Sequence, residues 1–296
     1  MNRQNIKDEL SFTYTIFVND CRPETVTASG VLGLLEKARR YLASLDSAAG
    51  YPEMVKARVF LRNAAKTLLM RADWIGAAAQ ESLVKFINEQ PEYLPFEPYR
   101  FTHDYFSQHI EQWTRDLARF AGLPNLDFLE IGSFEGRSAC WLLQKILTHD
   151  SSRMTCVDVF GQGPSQGVYE TAGLDSNQMS TEDRFDHNIE QTGASHRVEK
   201  LKGNSHELLR SLSLSKYDFV YVDASHVAKD VLEDAVLAWP LLKTRGLLTF
   251  DDYQWRDEPN PLRCPQLGID AFLQVYEGHY RIIHKGYQVT LEKLPS

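Results

Sequence analysis

The stretch LDFLEIGSFEGRS at residues 126–138 decides the fold of this chain. Its first part, residues 126–131, is a short apolar run typical of a buried strand, and it ends in a glycine-rich turn. The turn reads E-x-G-x-x-x-G-x-S, which differs from the G-x-G-x-x-G of dinucleotide-binding enzymes. Gly132 allows a sharp turn and the close approach of a ligand, and the amides after Gly136 can receive a carboxylate. A purely structural tight turn is the alternative.

Apolar strands and amphipathic helices alternate from this stretch to the end of the chain. The alternation predicts an α/β fold: a Rossmann-like, seven-stranded, mostly parallel sheet with helices on both faces, plus a helical N-terminal extension. The predicted strands are 126–131, 154–159, 198–202, 217–222, 247–250, 280–284 and 288–291. The predicted helices are 137–147, 184–191, 205–212 and 227–239. Ligands of such sheets bind beyond the carboxyl ends of the strands, so the residues there are the candidate site residues.

Polar residues follow the second and third predicted strands. Asp158 stands 26 residues after Gly132, where an acidic side chain can accept hydrogen bonds from both hydroxyls of a ribose. An exposed loop carboxylate is the alternative there. Ser205 and His206 follow the third strand, and they either cap the next helix or touch a base.

Acidic residues follow the fourth and fifth strands. Asp223 ends one of them, and Asp251 and Asp252 end the other. If these strands are neighbours, three carboxylates meet at one sheet edge, where they must protonate, move apart or share a cation. Oxygen ligands suit Mg²⁺ first, and then Mn²⁺ or Ca²⁺. Loop or helix-cap roles for the three aspartates are the alternative.

Taken together, these strand ends resemble those of class I S-adenosylmethionine-dependent methyltransferases. The closest likeness is to the metal-dependent small-molecule O-methyltransferases of the catechol, macrocin and novobiocin sugar types. The turn aligns without gaps with the G-x-Y-x-G-Y-S turn of the catechol enzymes, with Phe134 in place of the tyrosine. The 28-residue step from Asp223 to Asp251 matches that family's step between its first two metal ligands. The likeness covers residues 105–295, and residues 1–100 fall outside it.

The resemblance implies a role for each matching position. The residues around the methionine part of S-adenosylmethionine would be Glu130, Gly132, Ser133, Phe134, Gly136 and Ser138. Asp158 would hold the ribose, and Ser205 and His206 would lie near the adenine. The metal ligands would be Asp223, Asp251 and Asp252, with Asp223 also bordering the cofactor.

The catalytic base departs from the family pattern. His226 occupies the position of the catechol enzymes' lysine, and Ser225 that of the sugar enzymes' aspartate. We take His226 as the candidate base, because the N-terminus of the following helix favours a neutral imidazole, although adjacent carboxylates oppose this. A solvent-exposed helix cap is the alternative. A metal-bound hydroxyl has a lowered pKa and a neighbouring hydroxyl can chelate the same ion, so the expected acceptor is a sugar or catechol-like vicinal diol, as in natural-product tailoring.

The N-terminal third of the chain reads as helical. Apolar residues recur at three- and four-residue steps over 31–45, 55–69 and 75–87, which predicts amphipathic helices. A proline-punctuated aromatic segment, 89–105, follows and either packs over the next domain or forms a lid. We predict residues 1–104 as a helical region for substrate capping, dimerisation or docking, and residues 105–296 as the methyltransferase domain. Residues 13–18 stay unassigned, and residues 161–179 are predicted to form a mobile loop.

Composition limits the partners and the location. The chain of 296 residues is 43% apolar and 24% charged, an ordinary globular mixture with no apolar run long enough for a membrane span. The polar start predicts no secretory signal, and four scattered cysteines without zinc spacing predict reduced thiols in a cytoplasmic protein. Residues 116–296 carry 18 basic and 26 acidic side chains and hence the whole net charge of −8, which argues against a nucleic-acid partner.

Three alternative functions stay open at this point. The chain could be an oxidative tailoring protein related to the cephalosporin hydroxylase-like proteins of the same fold group. It could be a methyltransferase without a metal, in which the aspartates are structural. It could also be a binding or scaffold protein that has kept the fold without the chemistry.

Overall fold

The computed structural model of the chain describes residues 28–46, 51–70, 76–160, 179–255 and 260–295. These residues cluster in two compact units, whose main boundary along the chain falls between Asp104 and Tyr105. Residues 179–180 join the first unit, and residues 181–295 belong to the second. The unassigned segment 13–18, Cys21 and all of the predicted mobile loop except Met179 lie outside the described residues.

The first unit contains three helices, which confirms the three that the apolar periodicity predicts. They are α1 Ala28–Asp46, α2 Tyr51–Met70 and α3 Ala77–Asn88. Their apolar stripes form one core in which Leu35, Leu61, Leu83 and Phe86 are almost fully buried. The proline-punctuated segment 89–104 has no helix or strand.

The second unit is built on a seven-stranded sheet. Its strands are β1 Asp127–Ile131, β2 Arg153–Asp158, β3 Val198–Lys202, β4 Tyr217–Val222, β5 Leu242–Phe250, β6 Tyr280–Lys285 and β7 Val289–Lys293. Their order is β3-β2-β1-β4-β5-β7-β6, with β1 to β5 in parallel pairs and β7 antiparallel to both β5 and β6. The predicted Rossmann-like sheet is therefore confirmed. The strand order reverses between β1 and β4, which is where ligands bind in folds of this kind.

Helices and aromatic side chains cover both faces of this sheet. The helices of the second unit are α4 Ile110–Asp116, α5 Arg137–Lys145, α6 Thr181–Gln191, α7 Ser205–Leu208, α8 Ala228–Ala238 and α9 Pro265–Val275. Successive side chains of a strand point to opposite faces. On β4, Val220 belongs to the apolar core that includes Ile269 of α9, whereas the rings of Phe219 and Tyr221 lie edge-on to Trp113 of α4 at 5.4 and 4.7 Å.

Several elements differ from the sequence prediction. Helix α4 was not predicted, and α7 ends at Leu208 rather than at residue 212, because a 3₁₀ turn, Leu209–Ser211, follows it. Strand β5 begins at Leu242 rather than at residue 247, because the polar run Lys243-Thr244-Arg245 hides its start and pairs irregularly with β4. Helix α9 was not predicted, since Gly268 interrupts its helical pattern. The structure explains that glycine: a Cβ there would lie 2.2 Å from the Ala228 carbonyl oxygen, so Gly268 lets α9 approach α8.

Three of the cysteines lie in the described part of the chain. Cys140, Cys156 and Cys264 are free and buried there, which is consistent with the predicted thiols. In these same ranges none of the helices has both the length and the apolar character to span a bilayer.

Candidate active site

The carboxyl ends of β4 and β5 bring three aspartates together. The two strands are parallel neighbours in which Val222 pairs with Phe250, so Asp223 and Asp251 leave the sheet side by side. The Asp251 amide donates to the Val222 carbonyl over 3.0 Å. Carboxylate oxygens of Asp223, Asp251 and Asp252 all lie within 4.8 Å of one another. The strand order thus collects side chains that are far apart in sequence.

The three carboxylates do not share one electrostatic environment. Burial raises the pKa of Asp223, and the Asp251 and Asp252 carboxylates raise it further. Burial and then Asp252 raise the pKa of Asp251. Burial would also raise the pKa of Asp252, but hydrogen bonds from His226 and Tyr287 outweigh it and lower that pKa. A divalent cation would relieve this repulsion, and oxygen ligands suit a hard ion, so the donor set fits Mg²⁺.

His226 lies at the rim of this acidic cluster, two residues before the start of α8. Its Nε2 is 2.8 Å from Asp252 Oδ2, its ring centroid is 4.4 Å from that of Trp255, and its side chain is 43% exposed. Because a carboxylate only accepts hydrogen bonds, we assign the proton of a neutral imidazole to Nε2. Nδ1 then carries the lone pair that can accept a proton.

The glycine-rich turn after β1 lies directly against these acids. Gly132, Phe134 and Gly136 have positive φ angles of 90, 47 and 79°. A Cβ on Gly132 would lie 2.0 Å from the Asp223 carbonyl oxygen. Only glycine fits this contact without displacing the end of β4, so the predicted cofactor turn and the acidic cluster form one continuous site.

Gly132→Ala is therefore expected to destabilise the domain strongly. Gly193 serves as the matched control, because its φ of 71° is also left-handed but nothing lies within 4 Å of a Cβ placed there. The unfolding free energy of Gly193→Ala should fall only by the cost of a left-handed alanine, about 1–2 kcal/mol. That of Gly132→Ala should fall by this amount and, in addition, by the energy needed to displace the Asp223 backbone. Urea unfolding measures both variants, and equal losses would show that the contact in the structure is wrong.

Hydrogen bonds to Asp158 connect the same turn to the end of β2. Its Oδ2 accepts the backbone N–H groups of Ser133 and Phe134, each over 2.8 Å, and its Oδ1 accepts that of Phe160 over 2.7 Å. A carboxylate offers about four lone pairs, so three donors leave only one. Ribose binding by Asp158 stays a prediction, and the structure gives this residue a second task that the spacing did not indicate.

Glu130 lies buried behind the turn. It is 1% exposed, and the Ser138 hydroxyl donates to its Oε1 over 2.5 Å. Burial raises the pKa of Glu130 to about 7, against the opposing effect of the hydrogen bond from Ser138. Contacts of Glu130 and Ser138 with a cofactor stay a prediction.

The raised pKa of Glu130 predicts a pH-dependent stability. Its folded-state pKa of about 7 exceeds the ordinary glutamate value of 4.5. The folded state therefore binds the extra proton, and the associated stability is complete below about pH 4.5 and is lost as the pH rises through 7. A shift of this size corresponds to about 3 kcal/mol. Glu130→Gln replaces the protonated acid with a neutral group of the same shape and should remove this pH dependence. The unfolding free energy of the wild type should therefore fall relative to that of the variant from pH 5 to pH 8. If the unfolding free energies of the two proteins changed in parallel with pH, the prediction would be contradicted.

Ser205 and His206 lie on the short helix α7. The helix cap is the neighbouring Asn204, whose side chain accepts the His206 amide over 2.8 Å. The His206 ring lies between two carboxylates of α8, with Nδ1 3.3 Å from Glu233 and Nε2 3.5 Å from Asp234. Contact of Ser205 or His206 with an adenine stays a prediction.

Side chains that the sequence reasoning missed complete the surroundings of the acids. The Tyr221 hydroxyl lies 2.7 Å from Asp251 Oδ2, and the Gln288 amide donates to Asp251 Oδ1 over 3.1 Å. The Tyr287 hydroxyl donates to Asp252 Oδ1 over 2.7 Å. Strand alternation could have placed Tyr221 on the same face as Asp223. Tyr287 and Gln288 had no such signal, because only the antiparallel return of β7 brings them to the end of β5.

His109 also went unnoticed in the sequence. It is 5% exposed, and its Nε2 lies 3.8 Å from Asp251 Oδ1, beyond hydrogen-bond distance. Burial lowers the pKa of His109 more than Asp251 and Asp252 raise it. The ring beside the acids is therefore neutral, and it lies nearly parallel to the Tyr287 ring at 5.7 Å.

A small open cleft lies beside the acids. Its walls include Ser225, His226 and Pro265 in addition to the aspartates. The cleft therefore joins the candidate metal ligands to the candidate base.

The central part of the chain matches a known family of domains. Residues 129–253 match a family model described as a methyltransferase domain, and this segment contains every predicted site residue, from Glu130 to Asp252. No curated protein matches the chain.

Similar solved structures include three O-methyltransferases. An enzyme from Bacillus cereus in complex with SAH is 16% identical, with a TM-score of 0.48 over 80% of this chain and 100% of that chain. TomG from Streptomyces achromogenes, in complex with SAM, is 18% identical, with a TM-score of 0.45 over 76% and 93%. NovP is 18% identical, with a TM-score of 0.46 over 64% and 79%. The family match over residues 129–253 supports the predicted class of enzyme, a methyltransferase.

Proposed function

We propose that the protein is an S-adenosylmethionine-dependent O-methyltransferase that uses a divalent metal ion and acts on a hydroxyl group of a small molecule. The observation that carries this proposal is the convergence of Asp223, Asp251 and Asp252 beside Gly132, within a methyltransferase domain. A methyl donor on the turn after β1 and a cation on the acids would then be immediate neighbours.

The residues divide the proposed tasks between them. When bound, S-adenosylmethionine supplies an electrophilic methyl group on a sulfonium, and a divalent ion lowers the pKa of a hydroxyl that binds it. The turn from Gly132 to Gly136 would receive the donor, with Asp158 holding the turn in place. Holding both reactants in line is worth about 7–11 kcal/mol in well-oriented reactions, so positioning is the main catalytic task of these residues.

His226 would remove the proton of the acceptor hydroxyl. The hydrogen bond between its Nε2 and Asp252 Oδ2 holds the ring, so Nδ1 would take the proton. The Asp252 carboxylate would then stabilise the imidazolium that forms, as carboxylates do in other acid–base pairs.

A vicinal diol, in a sugar or a catechol-like compound, is the acceptor class that we propose. Two adjacent hydroxyls can both reach one cation, which fixes the orientation of the one that reacts. The net charge of −8 is opposite to what a phosphate-rich partner requires. We further propose that residues 1–104 serve the same reaction, by covering the acceptor, by forming a homodimer or by docking a partner, in a cytoplasmic enzyme.

The test uses methyl-labelled S-adenosylmethionine with a panel of catechols and sugar diols. We expect label in the product, loss of transfer in excess chelator, and recovery on addition of Mg²⁺. Transfer in excess chelator would remove the metal from the proposal. An oxidised product without label would identify a tailoring protein of the hydroxylase type. Calorimetry without any binding of S-adenosylmethionine would indicate a binding or scaffold protein.

A further inference from the structure

Behind the acidic cluster, a chain of buried polar side chains connects a tryptophan to the candidate metal ligands. The Trp113 indole N–H donates to Gln288 Oε1 over 2.7 Å. Gln288 Nε2 donates to Asp251 Oδ1 over 3.1 Å and lies 3.4 Å from the Tyr221 hydroxyl. That hydroxyl lies 2.7 Å from Asp251 Oδ2 and 3.0 Å from Asp223 Oδ2. Trp113, Gln288 and Tyr221 are each at most 2% exposed, so water does not compete for these bonds.

The chemistry of the indole fixes the direction in which these side chains donate their hydrogen bonds. An indole N–H can only donate, so the oxygen of the Gln288 amide must face Trp113. The two hydrogens of the Gln288 amide nitrogen then point towards Asp251 and Tyr221. A flipped amide would leave the Trp113 donor facing an NH₂ group in a buried site, which is costly. Trp113 thus sets which end of Gln288 reaches the acids.

These hydrogen bonds also leave only one oxygen of Asp251 available to a cation. The Asp252 amide donates to Asp251 Oδ1 over 2.8 Å, in addition to the bond from Gln288. Both lone pairs of Oδ1 are therefore used, while Oδ2 accepts only the Tyr221 hydroxyl among the described donors. Oδ2 keeps one lone pair for a cation. The Tyr221 hydroxyl lies between this oxygen and Asp223 Oδ2, so the two carboxylates are held next to each other. The carboxylate cannot rotate without breaking several bonds.

We propose that Trp113, Gln288 and Tyr221 are positioning residues that present Asp251 Oδ2 and Asp223 to a divalent cation. This proposal rests on the proposed function, because it requires the acidic cluster to bind such an ion. Groups of this kind, one bond behind a metal ligand, orient the ligand and account for about 10- to 100-fold in metal affinity in other proteins.

The test measures Mn²⁺ binding by the full chain with electron paramagnetic resonance, without substrate. Tyr221→Phe removes only the bridging hydroxyl, and we expect the Kd for Mn²⁺ to rise about 10- to 100-fold. The matched control is Tyr217→Phe on the same strand. Its hydroxyl is equally buried but lies 3.3 Å from Thr155 Oγ1, so the variant should bind Mn²⁺ as the wild type does. Equal Mn²⁺ affinities for Tyr221→Phe and Tyr217→Phe would overturn the proposal.

A double-mutant cycle tests whether Trp113 acts on the metal site through Gln288. Trp113→Phe should weaken Mn²⁺ binding on its own, but it should have no further effect in the Gln288→Leu background, because the amide that it orients is gone. Additive effects of the two changes would show that Trp113 does not act through Gln288. Should Gln288→Leu fail to fold, as judged by circular dichroism, the two tyrosine variants still decide the main claim.

The outcomes separate this proposal from the proposed function. If wild-type protein binds no Mn²⁺, the metal-dependent function fails and the positioning role fails with it. If the wild type binds Mn²⁺ and Tyr221→Phe binds it equally well, only the positioning role fails. S-adenosylmethionine affinity, measured by calorimetry, should stay unchanged in Tyr221→Phe, since a general loss of structure would lower it.

Discussion

Asp223→Asn is expected to reduce methyl transfer by more than about 100-fold, because even groups one bond behind a metal ligand account for about 10- to 100-fold in affinity. Asparagine keeps the shape of the side chain but removes its charge. The same change should stabilise the protein in excess chelator at pH 8, since burial and two neighbouring carboxylates disfavour the ionised form of Asp223, as its raised pKa shows. Activity and stability should therefore change in opposite directions, as is common at functional sites.

Urea unfolding with and without Mg²⁺ measures both effects. The ion should stabilise the wild type and leave Asp223→Asn almost unaffected, because a ligand stabilises only the state that binds it. Asp218→Asn is the matched control at the other end of β4. Asp218 forms an ion pair with Lys243 at 2.7 Å, so its loss should lower stability and leave methyl transfer intact. An Asp223→Asn variant that keeps full activity would remove Asp223 from the metal site.

His226→Ala is expected to reduce turnover by a factor of about 10²–10⁴, as the loss of a general base does. The His226 side chain is 43% exposed and its contacts are Asp252 and Trp255, so neither the core nor the turn after β1 should change. Binding of S-adenosylmethionine should consequently persist, whereas Mn²⁺ binding should weaken because His226 bonds to the candidate ligand Asp252, so turnover is compared at saturating Mn²⁺. This combination separates a catalytic role from a structural one.

The control for this experiment is His149→Ala, at an exposed histidine that contacts Ser151 and is not part of the site. Single-turnover assays should show the loss in His226→Ala in the methyl-transfer step itself. Turnover equal to that of the wild type would leave His226 as a rim residue that only bonds to Asp252, and another group would have to accept the proton.

Much of the candidate site could be predicted because its chemistry follows the strands. The apolar run of β1 and the turn after it are contiguous in sequence, and Asp223 and Asp251 are the first residues after β4 and β5. Parallel strands end at one edge of the sheet, so local patterns predicted that these acids meet if β4 and β5 are neighbours, and the strand order supplies that condition. The same reasoning could not show that Asp158 bonds to the turn, because that contact joins backbone groups to a side chain 24 residues or more away.

The amino-acid sequence by itself determined the alternation of strands and helices, the glycine turn and the acidic strand ends, because hydrophobic periodicity and backbone freedom are local properties. Only the tertiary structure decided what stands behind the acids. The antiparallel pairing of β7 with β5 carries Gln288 to Asp251, and the packing of α4 on β4 carries Trp113 to Gln288, across 175 positions of the chain. Contacts over such distances depend on how the whole chain packs, and no short stretch of sequence contains that information.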